Sequence, residues 1–396
     1  MTAPTADAAA PILRTPVCER LGIRWPIFGF SHEIDVVVAI CRAGGFGVFG
    51  VAREDPKHIP ELIARLRTAV GDAPFGVDLM LPAGMPDRTP TREEVDARIP
   101  EQHKAFVERL REKYEVPPAT RQTFFTSFVR SRQLFDEQVE AVLASEVPLI
   151  ATAVGLPPEV IARAKAAGKV TLSLIGTPKH ARAALAAGAD ILVAQGYDAG
   201  GHTGTIGTLS LVPQIVEIAA PWGVPVIAAG GIATGVQILA AIAMGAQGAW
   251  LGTVWLGARE NHTHRALLDK LVAAGSEDTV ITRAHSGKPC RVVRSAWSEE
   301  WAAPGAPAPL PMPYQHALTG ELLAAIEEHD VKPLVYEAAG QSVAWLTGER
   351  SVAQIIDALL DEMRDGWSRM SGLAARSGAG APADAHSTGK NPSTDR

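Results

Sequence analysis

Along most of the chain, short apolar runs alternate with longer Ala-rich stretches in which apolar positions recur at helical spacing. This strand-then-helix rhythm predicts parallel strands joined by crossover helices. Eight strands are predicted, over residues 22–28, 45–50, 75–80, 147–152, 170–175, 191–195, 224–229 and 248–252. Helices follow most of them, over 34–42, 56–68, 157–167, 178–187, 209–220 and 234–244. Several of these helices open with a proline near the first turn, where a missing N–H costs nothing. Four end in a near-identical phrase closing on Gly44, Gly168, Gly188 or Gly245, each placed to take the left-handed conformation that ends a helix. An eightfold βα repetition predicts an α/β fold of the TIM (β/α)8 barrel type.

The rhythm breaks twice. Residues 81–146 turn charged, with two helical patterns around Pro117-Pro118, which predicts a helical insertion after the third strand. After about residue 275 comes a Pro-rich crossing at 303–313, then helical patterns at 320–328 and 351–363. The predicted organisation is a flexible N-terminus (1–12) and a barrel (13–275) with the insertion inside it. A C-terminal extension (276–373) packs on the barrel, and a disordered tail (374–396) has little to bury.

Charge and cysteines narrow the function classes. With 37 Lys plus Arg against 43 Asp plus Glu, the net charge of −6 gives no basic excess, which argues against nucleic acid as a partner. Cys18, Cys41 and Cys290 form no CxxC pair, so neither a disulfide framework nor a cysteine zinc site is indicated, and a cytoplasmic location fits. The start of the chain has neither the basic residues nor the apolar core of a secretory signal. Residues 218–258 lack Asp, Glu, Lys and Arg over a length that would cross a bilayer. Pro221, Pro225, Gly230, Gly231, Gly235, Gly245, Gly248 and Gly252 cut that stretch into buried strands and a small-residue helix, so no membrane span is expected.

The densest chemical signal is residues 194–204, AQGYDAGGHTG, directly after the sixth predicted strand. Its glycines let backbone approach a flat or anionic ligand, and loops after the strands form the active face of a parallel barrel, which places His202 there. The bland alternative is a histidine held by local hydrogen bonds in a glycine-rich turn. Gly230-Gly231 and Gly252-Thr253 end the seventh and eighth strands, where backbone N–H groups frequently bind phosphate; tight turns without a ligand are the alternative. Asp198 suits either orienting His202 or capping its loop. His262 and His264 lack a third ligand at a recognisable spacing, so no metal is expected. Trp297, Trp301 and Tyr314 read as core that packs the extension onto the barrel.

These segments, with FGVDL at 75–79 and residues 224–253, resemble the FMN-dependent nitronate monooxygenases from about residue 14 to 260. A weaker echo continues through 286–294, 310–313 and 339–341. The resemblance implies a TIM barrel holding FMN at the C-terminal ends of its strands, with His202 as the active-site histidine. It implies that Gln195, Gly200 and Gly201 approach the flavin ring and ribityl chain, and that Gly230, Gly231, Gly252 and Thr253 hold the phosphate. Asp78 stands among the cofactor contacts where the family commonly has Asn. Phe30 and His32 replace the small residues usual after the first strand and are expected to shape the substrate side.

The expected reaction is oxidation of an alkyl nitronate by O2, with His202 as base or as hydrogen-bond donor to the nitro group. Alternatives are an NAD(P)H-dependent reductase of quinones or enoyl thioesters, a flavin-binding module without turnover, and a flavin-free barrel acting on a phosphorylated metabolite. Nothing in the sequence speaks to oligomeric state.

Overall fold

The computed structural model describes residues 14–378, apart from Leu81 and Leu156. Eight parallel strands close a barrel in chain order: β1 (Ile27–Ser31), β2 (Phe46–Gly50), β3 (Phe75–Met80), β4 (Leu149–Ala153), β5 (Val170–Ile175), β6 (Ile191–Gln195), β7 (Val226–Ala229) and β8 (Gly248–Leu251). Closure is made by β8 pairing back on β1, with Ile27 beside Ala249. Side chains alternate across the wall, as a strand period of two requires. Phe28, Val48, Leu149, Val193 and Ile227 fill the interior, while Phe75, Val77 and Leu79 face the helices.

The first strand begins later than its apolar run. Residues Pro16–Leu21 form a short helix ended by Gly22 at φ 69°, and Val17, Cys18 and Ile23 join the barrel's interior cluster. The apolar character of residues 22–28 is therefore partly spent on that cluster, and the strand starts after Pro26. This shift places Phe30 within β1, where it stacks on Trp250 of β8 at 6.3 Å. The second helix also starts late, at Ile59, because the Asp55 side chain accepts the Lys57 N–H in a preceding turn. Gly44, Gly168, Gly188 and Gly245 all take positive φ, at 91°, 70°, 86° and 93°, in the helix-ending role their phrases predict.

Helix Arg132–Leu143 packs Phe135, Val139 and Val142 against the outside of the barrel beside Ile63 and Val77, so it serves as the crossover from β3 to β4. The segment before it carries helices Arg92–Asp96, Glu101–Lys113 and Phe124–Ser127. That segment meets the region after β8: Phe106 lies edge-on to Trp301 at 4.8 Å, and the Tyr114 hydroxyl donates to Glu300 at 2.6 Å. Trp297 is fully buried and stacks on Tyr336 at 6.2 Å, and Tyr314 accepts from Arg98 at 2.7 Å.

The last helix, Val352–Gly378, runs beyond the 351–363 pattern and past residue 374, where a structureless tail was expected to begin. Residues 1–13 and 379–396, which include the expected flexible start, lie outside the described residues. The helix docks between Gly235–Ala243, which follows β7, and Ile34–Arg42, which follows β1, in the place of a barrel's eighth helix. Its Glu362 carboxylate accepts the Gly235 N–H at 2.6 Å. A Cβ on Gly235 would lie 2.0 Å from the Leu359 carbonyl oxygen, so only glycine permits this approach. Among the described residues, no helix is long and apolar enough to cross a membrane.

Candidate active site

The predicted site residues converge at the C-terminal ends of the strands. After β6 the chain doubles back on itself: Gln195 Nε2 donates to the His202 carbonyl at 3.3 Å, and Thr203 Oγ1 donates to the Gly196 carbonyl at 2.9 Å. Asp198 accepts the Thr208 N–H at 2.8 Å, which caps helix Thr208–Ala219 and gives this residue the loop-capping role.

Gly201–His202 then forms a two-residue strand, pairing with Cys290–Arg291 in a three-stranded antiparallel sheet completed by Thr279–Thr282. The Arg291 guanidinium braces the same loop, donating to the Tyr197 carbonyl at 3.1 and 3.3 Å. The segment at 339–341 closes on it from the other side. A Cβ on Gly200 would lie 2.7 Å from the Gly340 nitrogen, and the Gln341 N–H donates to the Asp198 carbonyl at 2.9 Å. Gly200 thus meets backbone of the extension, whereas Gly201, at φ 76°, has open space beside its Cα.

The two phosphate-type turns leave neighbouring strands, since Ala229 of β7 pairs with Trp250 of β8. Gly230 and Gly231 take φ 101° and 73°. A Cβ would meet the Gly196 carbonyl at the first and Asp198 at the second, both at 2.9 Å. Gly252 has open space around it and leads into the turn Thr253–Gly257. Thr253 accepts the Gly340 N–H at 2.9 Å, which leaves its hydroxyl proton free to donate elsewhere.

The opposite wall comes from the ends of β1, β2 and β3. His32 Nδ1 bonds the Gly50 carbonyl at 2.8 Å, and its ring lies edge-on to Phe30 at 5.2 Å. A Cβ on Gly50 would strike both rings, at 2.7 and 2.8 Å. Asp78 points into the barrel between Gly50 and Ala151, 5% exposed, with Oδ1 unbonded.

His202 Nε2 lies 2.7 Å from the Ser286 hydroxyl, in the segment of the weaker echo. Burial, then the positive fields of Arg130, Lys288 and Arg53, lower the His202 pKa to about 4. His32 is lowered to about 3 by burial and then by Arg53. Behind His202 stand His285, with ring centroids 6.4 Å apart, and then His316, 5.5 Å further. Both are held well below the ordinary imidazole range, chiefly by burial, and His285 Nδ1 lies 3.0 Å from the Tyr336 hydroxyl.

Sequence reasoning missed Arg53, Arg130, Ser286, Lys288, His285 and Trp250 as site residues. Ser286 and Lys288 lie in the 286–294 echo, which was signal enough to find them. Arg130 sits in a charged stretch where nothing distinguishes it from surface arginines. His262 is drawn to the surface, where Nε2 pairs with Asp35 at 3.0 Å.

The nitronate monooxygenase family model matches residues 22–362. The chain belongs to the nitronate monooxygenase family. It is an enzyme, an oxidoreductase of a family of flavoproteins. Over 377 residues it is 38% identical to Rv1533 of Mycobacterium tuberculosis, which carries a monooxygenase assignment, covering 92% of this chain and all of that one. A Staphylococcus aureus (strain Newman) protein assigned as a nitronate monooxygenase is 31% identical, over 82% of this chain and 90% of its own. Among solved structures, the nitroalkane oxidase from Streptomyces ansochromogenes superposes with a TM-score of 0.74 at 29% identity, covering 89% of this chain and 99% of that one.

Proposed function

We propose that this family member oxidises alkyl nitronates with O2, using FMN and placing His202 against the nitro group of a small-molecule substrate. The observation that carries the reading is the charge around His202: the groups whose fields act on it, Arg130, Lys288 and Arg53, are all cationic. A resonance-stabilised nitronate anion is attracted into such a pocket, where a neutral nitroalkane gains little.

The residues fit FMN. Positive-φ glycines and the open Gly252 turn bring backbone from adjacent strands to one place, and the Thr253 hydroxyl retains a proton for a phosphate oxygen. Gly230, Gly231, Gly252 and Thr253 would hold the phosphate, with Gln195, Gly200, Gly201 and Asp78 around the ring and its chain. When bound, FMN supplies the electron acceptor for the nitronate and the reduced form that engages O2.

The chain supplies the rest. With its conjugate acid held near 4, His202 meets substrate as a neutral imidazole. Such an imidazole is a weak base but a competent donor, which favours substrate arriving already ionised over proton abstraction from a neutral nitroalkane. Ser286 fixes the ring through Nε2. Phe30, His32 and Trp250 form the apolar and aromatic side of the pocket, setting the room for the substrate's alkyl group and keeping water out.

Anaerobic titration of the purified yellow protein tests the reading. Bleaching of the flavin by propyl-2-nitronate or propionate-3-nitronate alone is the expected result. Bleaching by NADH but by neither nitronate overturns it in favour of an NAD(P)H-dependent reductase.

A further inference from the structure

His285 stands behind His202 without being closed off by it. Its ring is half-buried, as is that of His202. Each ring is tied at one nitrogen to a hydroxyl and open at the other. His202 Nε2 lies 2.7 Å from the Ser286 hydroxyl, and His285 Nδ1 lies 3.0 Å from that of Tyr336. His202 Nδ1 and His285 Nε2 bond nothing among the described residues, and neither belongs to the polar atoms sealed from solvent.

The hydroxyls fix where the ring protons sit. Ser286 is fully buried and its oxygen already accepts the Lys288 N–H at 3.3 Å, so its own proton goes to His202 Nε2. Tyr336 has no other acceptor for its phenolic proton among the described residues, so that proton goes to His285 Nδ1. Both imidazoles are neutral, because burial above all lowers their pKa. Each then carries its single N–H on the open nitrogen.

Two N–H donors on neighbouring rings suit a ligand with two acceptors side by side. Ring centres 6.4 Å apart let bonds of about 2.9 Å from both rings converge on one small planar group. The positive fields of Arg53 and Arg130 reach both rings, so the group they favour is an anion. We propose that His285 is a second substrate-contacting residue, its Nε2–H donating to one nitronate oxygen while His202 Nδ1–H donates to the other. This rests on the nitronate reading above. His285 thereby helps the chain select an oxyanion over a neutral nitroalkane, because hydrogen bonds to charged oxygens are the stronger ones.

The test uses the full chain loaded with FMN and three measurements: kcat/KM for propyl-2-nitronate by oxygen uptake, the dissociation constant of inorganic nitrate by perturbation of the flavin spectrum, and the FMN dissociation constant. Nitrate is a planar oxyanion that presents two oxygens side by side, as a nitronate does. His285→Phe keeps an aromatic ring and removes the donor. It is expected to lower kcat/KM and to weaken nitrate binding about ten- to hundredfold each, the scale of one hydrogen bond to a charged group, with FMN affinity unchanged. His285→Gln, which keeps an N–H near the same place, is expected to recover most of both. Circular dichroism checks folding. If His285→Phe does not fold, Tyr336→Phe carries the test: freeing Nδ1 lets the proton leave Nε2, and nitrate is expected to bind about threefold more weakly.

Nitrate affinity equal to the wild type in His285→Phe, or in Tyr336→Phe where that variant stands in, would overturn this inference even with reduced turnover. That pattern belongs to a residue that only positions Ser286 and His202. A wild type that binds no nitrate would overturn it too, and in both cases the proposed function stands while the wild type oxidises the nitronate. A wild type whose flavin is bleached by NADH and by neither nitronate would overturn both.

Discussion

The two walls of the barrel mouth are built differently. On the side of β6, β7 and β8 the wall is largely backbone: Gly230, Gly231 and Gly252 in turns, with Gly201 and His202 carried on a two-residue strand. On the side of β1, β2 and β3 it is side chain: Phe30, His32 and Asp78 around a Gly50 that leaves them room. Backbone N–H and C=O groups are offered whatever the side chains are, so a backbone wall depends little on residue identity. A side-chain wall is where one chain can differ from its relatives.

Acid gives the largest effect expected to test that division. Buried neutral histidines lie on both walls and behind them: His32, His202, His285 and His316. Each is lowered from an ordinary value of 6.5, so below that pH the unfolded chain binds protons that the folded chain refuses. The histidines' contribution to stability is therefore complete above about pH 6.5 and falls as the pH drops toward 4, by up to about 1.4 kcal/mol per histidine per pH unit. Thermal melts across this range check it. His32→Asn and His202→Asn should each reduce the slope by one proton, and a slope that responds to only one of them would put the desolvated pocket on one wall alone.

His202→Ala is expected to lower turnover by about 10²-fold or more while FMN stays bound, measured by steady-state oxygen uptake and the flavin spectrum. Loss of the flavin with the activity would show that the histidine belongs to the holding wall. Gly230→Ala should do the reverse. It forces a side chain into φ 101° and against the Gly196 carbonyl, so FMN affinity should fall at least tenfold, read by the fluorescence of released flavin. Ser286→Ala should have the smallest effect, about three- to tenfold in kcat. FMN affinity should be unchanged and Ser286→Thr should partly restore the rate, because the hydroxyl acts through its 2.7 Å contact with His202 Nε2.

The difference between the walls also explains what was legible in the sequence. Glycines that must take positive φ announce themselves locally, so the β6–β8 turns and the helix-ending glycines could be read from short phrases. Strands β2 to β8 were legible because each is a buried apolar run bounded by turn residues. β1 was misplaced by several residues because Ile23 before it is equally apolar, though it serves the cluster at the other end of the barrel.

What could not be read depends on contacts distant in the chain. Arg130 and Arg53 act on His202 from different segments, and Ser286 reaches it across 84 positions. The helical period around residues 351–363 was visible. Its docking place beside Gly235 and the β1 helix was not, because periodicity reports that a face is apolar and not which surface it will cover.

That docking place has a consequence for how the molecule is made. The cover over the join between the first and last strands is the final helix, separated from β8 by about a hundred residues. While the chain is being synthesised, every strand and the other seven barrel helices can be present, yet the outer flank of that join stays bare until Val352–Met363 emerges from the ribosome. A product shortened before that point would be left with an uncovered apolar seam, making premature termination a direct route to aggregation.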